Sequence, residues 1–196
     1  MSSSRPVSAP PIVSLGRVYP AQSCSSLLNT LLQDIEWQSD YFAFGRRIDI
    51  PRLQAWYADP GIHYRYASNQ LHTRDWSPLL LDMRRRIEKL TGHPFNSVLL
   101  TCYRNGDDHV GWHADNETEL GDRPVIASLS LGSRRHFHFR RNDGQDHGSI
   151  ELHPGELILM RPEFQQQWQH AVPAATNVQQ ARLNLTFRQV VVDRNR

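Results

Sequence analysis

Lysine is nearly absent from this 196-residue chain: Lys89 stands alone beside 21 arginines. Against 20 acidic residues the net charge is only +2, which excludes a polycation that binds by charge alone. Cysteine is almost as scarce, and Cys24 and Cys102 are too few for a disulfide framework. No apolar run is long enough to cross a bilayer, and the Ser/Pro-rich start lacks the hydrophobic stretch of a signal peptide. The expectation is an intracellular, cytoplasmic protein (nuclear in a eukaryote) with no membrane partner. What remains is ordinary globular material, 39% apolar and 21% charged, long enough to bury one good core. The choice of arginine matters, because its planar fork suits phosphate and carboxylate better than an ammonium does.

Residues 1–11 are rich in Ser and Pro and read as a disordered tail. With no repeat and no second linker, 12–196 reads as a single domain. Leu27, Leu28, Leu31, Leu32 and Ile35 recur at helical spacing and predict a helix over 23–35. Tyr41–Arg47 and Asp49–Trp56 read as strand or hairpin pieces around Gly45. Ser77 is an N-cap with Pro78 in the first turn, followed by an apolar stripe of Leu79, Leu80, Met83, Ile87 and Leu90 that Gly92 closes. From Phe95 the texture changes to short strands at 97–103, 124–131, 136–140, 149–152, 156–160 and 181–191. Helices followed by many strands predict an α+β fold with a sandwich or barrel core.

Two features carry chemistry. His113-Ala-Asp115 together with His170 supplies two imidazoles and a carboxylate, the ligand set of non-haem Fe(II) sites with open positions. The string RLNLTFR (Arg182–Arg188), read as a strand, puts Arg182, Asn184, Thr186 and Arg188 on one face and Leu183, Leu185 and Phe187 on the other. An apolar wall behind a row of donors suits a buried dicarboxylate. A zinc hydrolase uses similar ligands, but it gives the two-arginine strand no role. His136 and His138 share a face and read as an exposed hairpin strand, with Arg134 and Arg135 beside them as phosphate contacts.

YRNGDDHVGWHADNE, PVIASLSLGSRRHFHFR, PGELILM, WQHAVP and RLNLTFR, in this order, resemble the AlkB family of iron- and 2-oxoglutarate-dependent nucleic-acid dealkylases. Upstream, FGRRIDIPRLQAWYADPG resembles the family's nucleotide-recognition region, particularly in duplex-acting members. The resemblance implies a double-stranded β-helix, or jelly roll, over 96–191, flanked at 12–95 by N-terminal helices and a nucleotide-recognition lid. His113, Asp115 and His170 match the Fe(II) ligands. Arg182, Asn184 and Tyr103 match contacts to the distal carboxylate of 2-oxoglutarate, and Arg188 matches a position by the carboxylate that chelates iron. Thr101 stands where many members carry a co-substrate-binding Asn. Asn116 replaces an acidic residue common after the metal Asp, while Glu117 keeps the next one, which some members use to read the base.

For the substrate, Tyr66 falls where members place a stacking aromatic, and Tyr64 and Trp112 are further candidates. Phe44 matches the residue that duplex-acting relatives wedge into the base stack, with Arg46, Arg47 and Arg52 as phosphate contacts. The implied reaction uses Fe(II), 2-oxoglutarate and O₂ to demethylate 1-methyladenine or 3-methylcytosine in single- or double-stranded DNA, or in RNA, releasing formaldehyde, succinate and CO₂. A monomer engaged in alkylation repair is the expectation. The alternatives are the same oxidation of a protein side chain or small molecule, and a catalytically silent nucleic-acid-binding module.

Overall fold

The computed structural model describes residues 9–43, 46–62, 65–66, 69–70 and 72–191. The first half of the chain forms β1 (Ile12–Arg17), α1 (Ala21–Asp34), β2 (Gln38–Ala43), β3 (Arg46–Ala58), β4 (Arg65–Tyr66), β5 (Asn69–Gln70), β6 (Thr73–Arg74) and α2 (Pro78–Thr91). The second half forms β7 (Ser97–Tyr103), β8 (Val110–His113), a 3₁₀ turn at Thr118–Leu120, β9 (Ile126–Gly132), β10 (Arg135–Arg141) and β11 (His147–Leu152). It continues with β12 (Glu156–Met160), α3 (Pro162–Gln167), β13 (Trp168–Val172) and β14 (Arg182–Arg188). The larger sheet has the order β1-β12-β9-β14-β7-β3-β2, with β6 beside β3; the smaller has the order β11-β10-β13-β8. Apart from β3 with β6, their ladders are antiparallel. These two sheets make the jelly roll, as expected from the sequence.

Strand alternation divides the core into two layers. One face of the larger sheet, through Leu100, Cys102, Leu183, Leu185 and Phe187, packs on Leu31, Leu80, Met83 and Ile87 of the helices. The other face, through Leu99, Tyr103, Ile126, Ile158 and Met160, meets Phe137, Phe139, Trp168 and Val172 of the smaller sheet. Leu183, Leu185 and Phe187 are fully buried, each contributing roughly 1.5–3 kcal/mol. Their burial fixes the register of β14, since a slip of one residue would drive Arg182, Asn184 and Arg188 into the helix layer.

Local signals set the helix ends. Ser77 Oγ accepts a hydrogen bond from the Leu80 N–H at 3.2 Å, and Gly92 closes α2 at φ +73°. The first helix starts at Ala21, two residues before the expected Ser23, behind Pro20, which makes no side-chain cap bond. The Pro11 carbonyl, inside the expected tail, accepts the Arg161 N–H at 3.0 Å and leads into edge strand β1. That strand and the six-residue α3 were not foreseen; IVSLGR alternates weakly, and PEFQQQ is too short for a helical period. Gly106 answers a different demand: a Cβ there would lie 1.8 Å from the Ala175 carbonyl oxygen, so the loop after β7 passes tightly against the segment after β13.

Candidate active site

The metal ligands arrive on adjacent strands of the smaller sheet. β13 pairs with β8 so that His170 stands opposite His113, and Asp115 follows just after β8 ends. Their donor atoms lie within 4.8 Å of one another, close enough for one ion to gather all three. His113 Nε2 and His170 Nε2 lie 4.0 and 3.9 Å from the two oxygens of Asp115. His113 Nδ1 lies 2.8 Å from the Gly111 carbonyl; a carbonyl can only accept, so Nδ1 donates to it and Nε2 is the nitrogen that faces the centre. Phe137 stacks on the His170 ring at 5.1 Å and keeps it from turning away.

Asp115, only 1% exposed, is held from two sides. Arg188 Nη2 donates to its Oδ1 at 3.0 Å, and its backbone N–H donates to Gln165 Oε1 at 2.9 Å. Burial pushes the carboxyl pKa up, but Arg188 and the two imidazoles outweigh it and bring the value to about 2. His170 moves further. Burial, with the neighbouring His113 and Arg188 outweighing Asp115, lowers its pKa to about 3. Both ligands therefore stand ready in their metal-binding forms at neutral pH.

The depressed value of His170 makes stability depend on pH. Its folded pKa lies below the unfolded value of 6.5, so the unfolded chain binds the additional proton between about 3 and 6.5. The stability from the neutral ring is complete above 6.5 and is lost on acidification towards about 3. Asp115 adds a further loss only below its unfolded value of 3.8, continuing towards about 2. The metal-free protein is expected to lose stability below pH 6.5, approaching about 1.4 kcal/mol per pH unit from this histidine. Urea unfolding at pH 7, 6 and 5 measures this, and His170→Leu should flatten the slope.

Beside the triad, β14 delivers its donors into a cavity whose mouth-inclusive empty volume is about 530 Å³. The cavity is lined by the three ligands together with Tyr103, Thr101, Arg182, Asn184, Thr186 and Arg188. Arg182 is 1% exposed, and no carboxylate pairs with it among the described residues. Its Nη2 donates to Ser130 Oγ at 2.9 Å and to Asn184 Oδ1 at 3.0 Å; Nε and Nη1 make no hydrogen bond among the described residues, and the Tyr103 hydroxyl lies close to the guanidinium. Tyr103 lies against it, with the Arg182 and Arg135 guanidiniums each 5.3 Å from its ring centroid. A buried cation with open donors is costly unless an anion joins it. The pocket is therefore shaped for a small carboxylic acid next to a metal, and the residues fit 2-oxoglutarate and ferrous ion.

Comparison with known proteins agrees with this geometry. The model of the 2OG-Fe(II) oxygenase superfamily matches residues 12–188. Mouse DNA oxidative demethylase ALKBH2 is 34% identical over 177 residues, covering 82% of this chain and 74% of that protein. The chain belongs to the AlkB family. Among its other relatives, human alpha-ketoglutarate-dependent dioxygenase alkB homolog 3 is 39% identical over 181 residues, covering 85% of this chain and 62% of that protein. The chain thus spans about three fifths of the alkB homolog 3 proteins that it matches. Two solved structures share the fold at low identity. OsALKBH1 has a TM-score of 0.63 at 17% identity, covering 92% of this chain and 99% of its own. A Pseudomonas putida prolyl-4-hydroxylase has a TM-score of 0.58 at 16% identity, covering 92% and 94%. The residues fit Fe(II) and 2-oxoglutarate, the two groups that the matched family's description names.

The other sites expected from the sequence fall in different places. Arg52 lines the cavity and donates to the His109 carbonyl at 3.4 Å, whereas Arg46 is exposed at the start of β3 and Arg47 pairs with Asp40. Glu117 is half-buried at the start of the 3₁₀ turn, outside the cavity lining. Phe44, Tyr64 and the side chain of Tyr66 lie outside the described residues.

Two expectations are corrected. Trp112 neighbours His113 on β8, so strand alternation turns it to the opposite face; it is 41% exposed and carries Arg140 at 4.4 Å from its ring centroid. Its ring lies outside the cavity lining. Arg135 is buried, not free for phosphate: it donates to the carbonyls of Asn105, Asp108 and Pro173, tying the loop before β8 to the end of β13. Ser128 and Ser130, which support Asn184 and Arg182, and Gln165 behind Asp115 escaped the sequence reading. The alternation of SLSLG contained a signal for the serines; nothing local marked Gln165.

Proposed function

We propose that this AlkB-family chain oxidatively demethylates N-alkylated bases of the 1-methyladenine and 3-methylcytosine type in DNA. The observation that carries the oxygenase part is Arg182, a buried guanidinium with open donors and no carboxylate partner among the described residues, beside an assembled His-Asp-His site. The nucleic-acid part draws support from relatives named DNA oxidative demethylase and from the arginines along β3.

In this reading His113, Asp115 and His170 hold the ferrous ion. Arg182, with Tyr103 and Asn184, anchors the far carboxylate of 2-oxoglutarate, and Thr101 lines the space between them. Arg188 keeps Asp115 ionised and fixed. When bound there, iron and 2-oxoglutarate would supply the oxidising power for O₂ to hydroxylate the methyl group, with succinate and CO₂ as the co-products. The hydroxymethylated nitrogen then releases formaldehyde and the restored base. Phe137, Met160 and Val172 make the surrounding wall apolar, which limits water and side reactions.

Reaching a base nitrogen requires a single strand or an extruded nucleotide, at a cost of a few kcal/mol. Tyr64 and Tyr66 are proposed to stack on the extruded base, Phe44 to fill the gap in a duplex, Glu117 to approach the base, and Arg46, Arg47 and Arg52 to hold phosphates. The catalytic unit is read as 12–196, acting as a monomer inside the cell. No helix among the described residues is long and apolar enough to cross a membrane.

The test is anaerobic loading with Fe(II) and 2-oxoglutarate, then exposure to air with methylated oligonucleotides and mass spectrometry of the bases. Loss of 14 mass units, roughly one methylene, with matching succinate and formaldehyde is expected. Succinate release with every oligonucleotide unchanged would assign the oxidation to another substrate. Phe44→Ala should weaken action on duplexes more than on single strands; equal losses would remove the wedge.

A further inference from the structure

Gln54 is a buried amide that the site described so far does not use. It is 3% exposed, lines the cavity beside Thr101, and has no hydrogen-bond partner among the described residues. A primary amide removed from bulk water ordinarily finds partners for its donors and acceptor. Among the described residues its polar atoms meet no partner, and the side chain lines the cavity. The geometry points to Gln54 as the side chain that reads the polar edge of the methylated base, an assignment that rests on the demethylase reading.

Sheet register separates this amide from the acid anchor. Gln54 on β3 pairs with Thr101 on β7, which pairs with Asn184 on β14, which in turn pairs with Ser130 on β9. Two strand spacings of about 4.8 Å place the backbones of Gln54 and Asn184 roughly 10 Å apart. Asn184 is already engaged with Arg182, Ser128 and Thr186 on its own flank. An organic acid anchored at Arg182 and directed towards the triad leaves the β3 flank of the cavity for the second substrate. The same strand carries Arg46, Arg47 and Arg52, so one rigid element joins the proposed phosphate contacts to the cavity.

The chemistry suits an amino-bearing base. Gln54 Oε1 accepts from the exocyclic amine of adenine or cytosine, and Nε2 can donate to a neighbouring ring nitrogen or carbonyl. Rotating the amide by half a turn lets Nε2 face an oxo group instead. Gln54 therefore tolerates both amino and oxo bases, whereas an ionised carboxylate at this position would accept only from amines.

The experiment compares kcat/KM for single-stranded oligonucleotides carrying 1-methyladenine or 3-methylthymine, using wild type, Gln54→Met and Gln54→Glu. Gln54→Met should lose on the order of 10–100-fold on both bases. Gln54→Glu should discriminate, raising the 1-methyladenine to 3-methylthymine ratio by on the order of tenfold or more over wild type. General damage to the fold or to 2-oxoglutarate binding lowers both substrates together and cannot produce that change of ratio. Undiminished activity of Gln54→Met, or an unchanged ratio in Gln54→Glu, overturns the assignment while leaving the demethylase reading in place. Inactivity of the wild type on every methylated oligonucleotide overturns both.

Discussion

Replacing Asp115 by alanine is expected to abolish succinate formation and to destabilise the metal-free protein by about 3–5 kcal/mol. The first effect follows from removing the only carboxylate that faces both imidazoles among the described residues. The second follows from Arg188, which is 2% exposed and whose Nη2 donates to Asp115 at 3.0 Å. Without that carboxylate a buried cation loses its counter-charge, a far larger cost than breaking a surface pair. Asp115→Asn should preserve more of the shape and stability while still preventing turnover, because an amide neither carries the charge nor binds metal comparably. Urea unfolding and a succinate assay on the two variants separate the effects. Undiminished turnover in either would remove Asp115 from the site.

Arg182→Met is expected to do the opposite to stability. The buried guanidinium has no carboxylate partner among the described residues, so its replacement by an apolar side chain of similar length should stabilise the ligand-free protein by roughly 0.5–2 kcal/mol. Affinity for 2-oxoglutarate should fall on the order of 10²–10³-fold, the consequence of removing one member of a buried charge pair. Saturating 2-oxoglutarate should therefore raise the Tm of the metal-loaded wild type and leave that of the variant unchanged. A variant that is less stable and still binds the acid would make Arg182 a structural residue. Opposite signs for Asp115 and Arg182 are the signature of one charge already paired in the fold and another waiting for its ligand.

Much of this site could be read from strand parity. The two-residue period of RLNLTFR separates the donors from Leu183, Leu185 and Phe187, and the structure places those faces in the cavity and the helix layer. The same period separates Trp112 from His113 and puts Arg135 with Phe137 on the buried side of β10, so both corrections were latent in the pattern. They were obscured because aromatic and arginine residues near a site invite a binding role whichever face they occupy. Register across strands is another matter. The row from Gln54 through Thr101 and Asn184 to Ser130 depends on pairings between residues as far as 83 positions apart, Thr101 with Asn184, which no local pattern encodes. The contact of Gln165 with Asp115, carried by a short helix, is equally non-local.

The most direct measurement is an anaerobic calorimetric titration of 2-oxoglutarate into the Fe(II)-loaded protein, repeated with Asp115→Asn and Arg182→Met. One acid bound per chain, dependence on the metal, and severe weakening in both variants are expected. Binding that survives both substitutions would place the acid elsewhere and contradict the site described above.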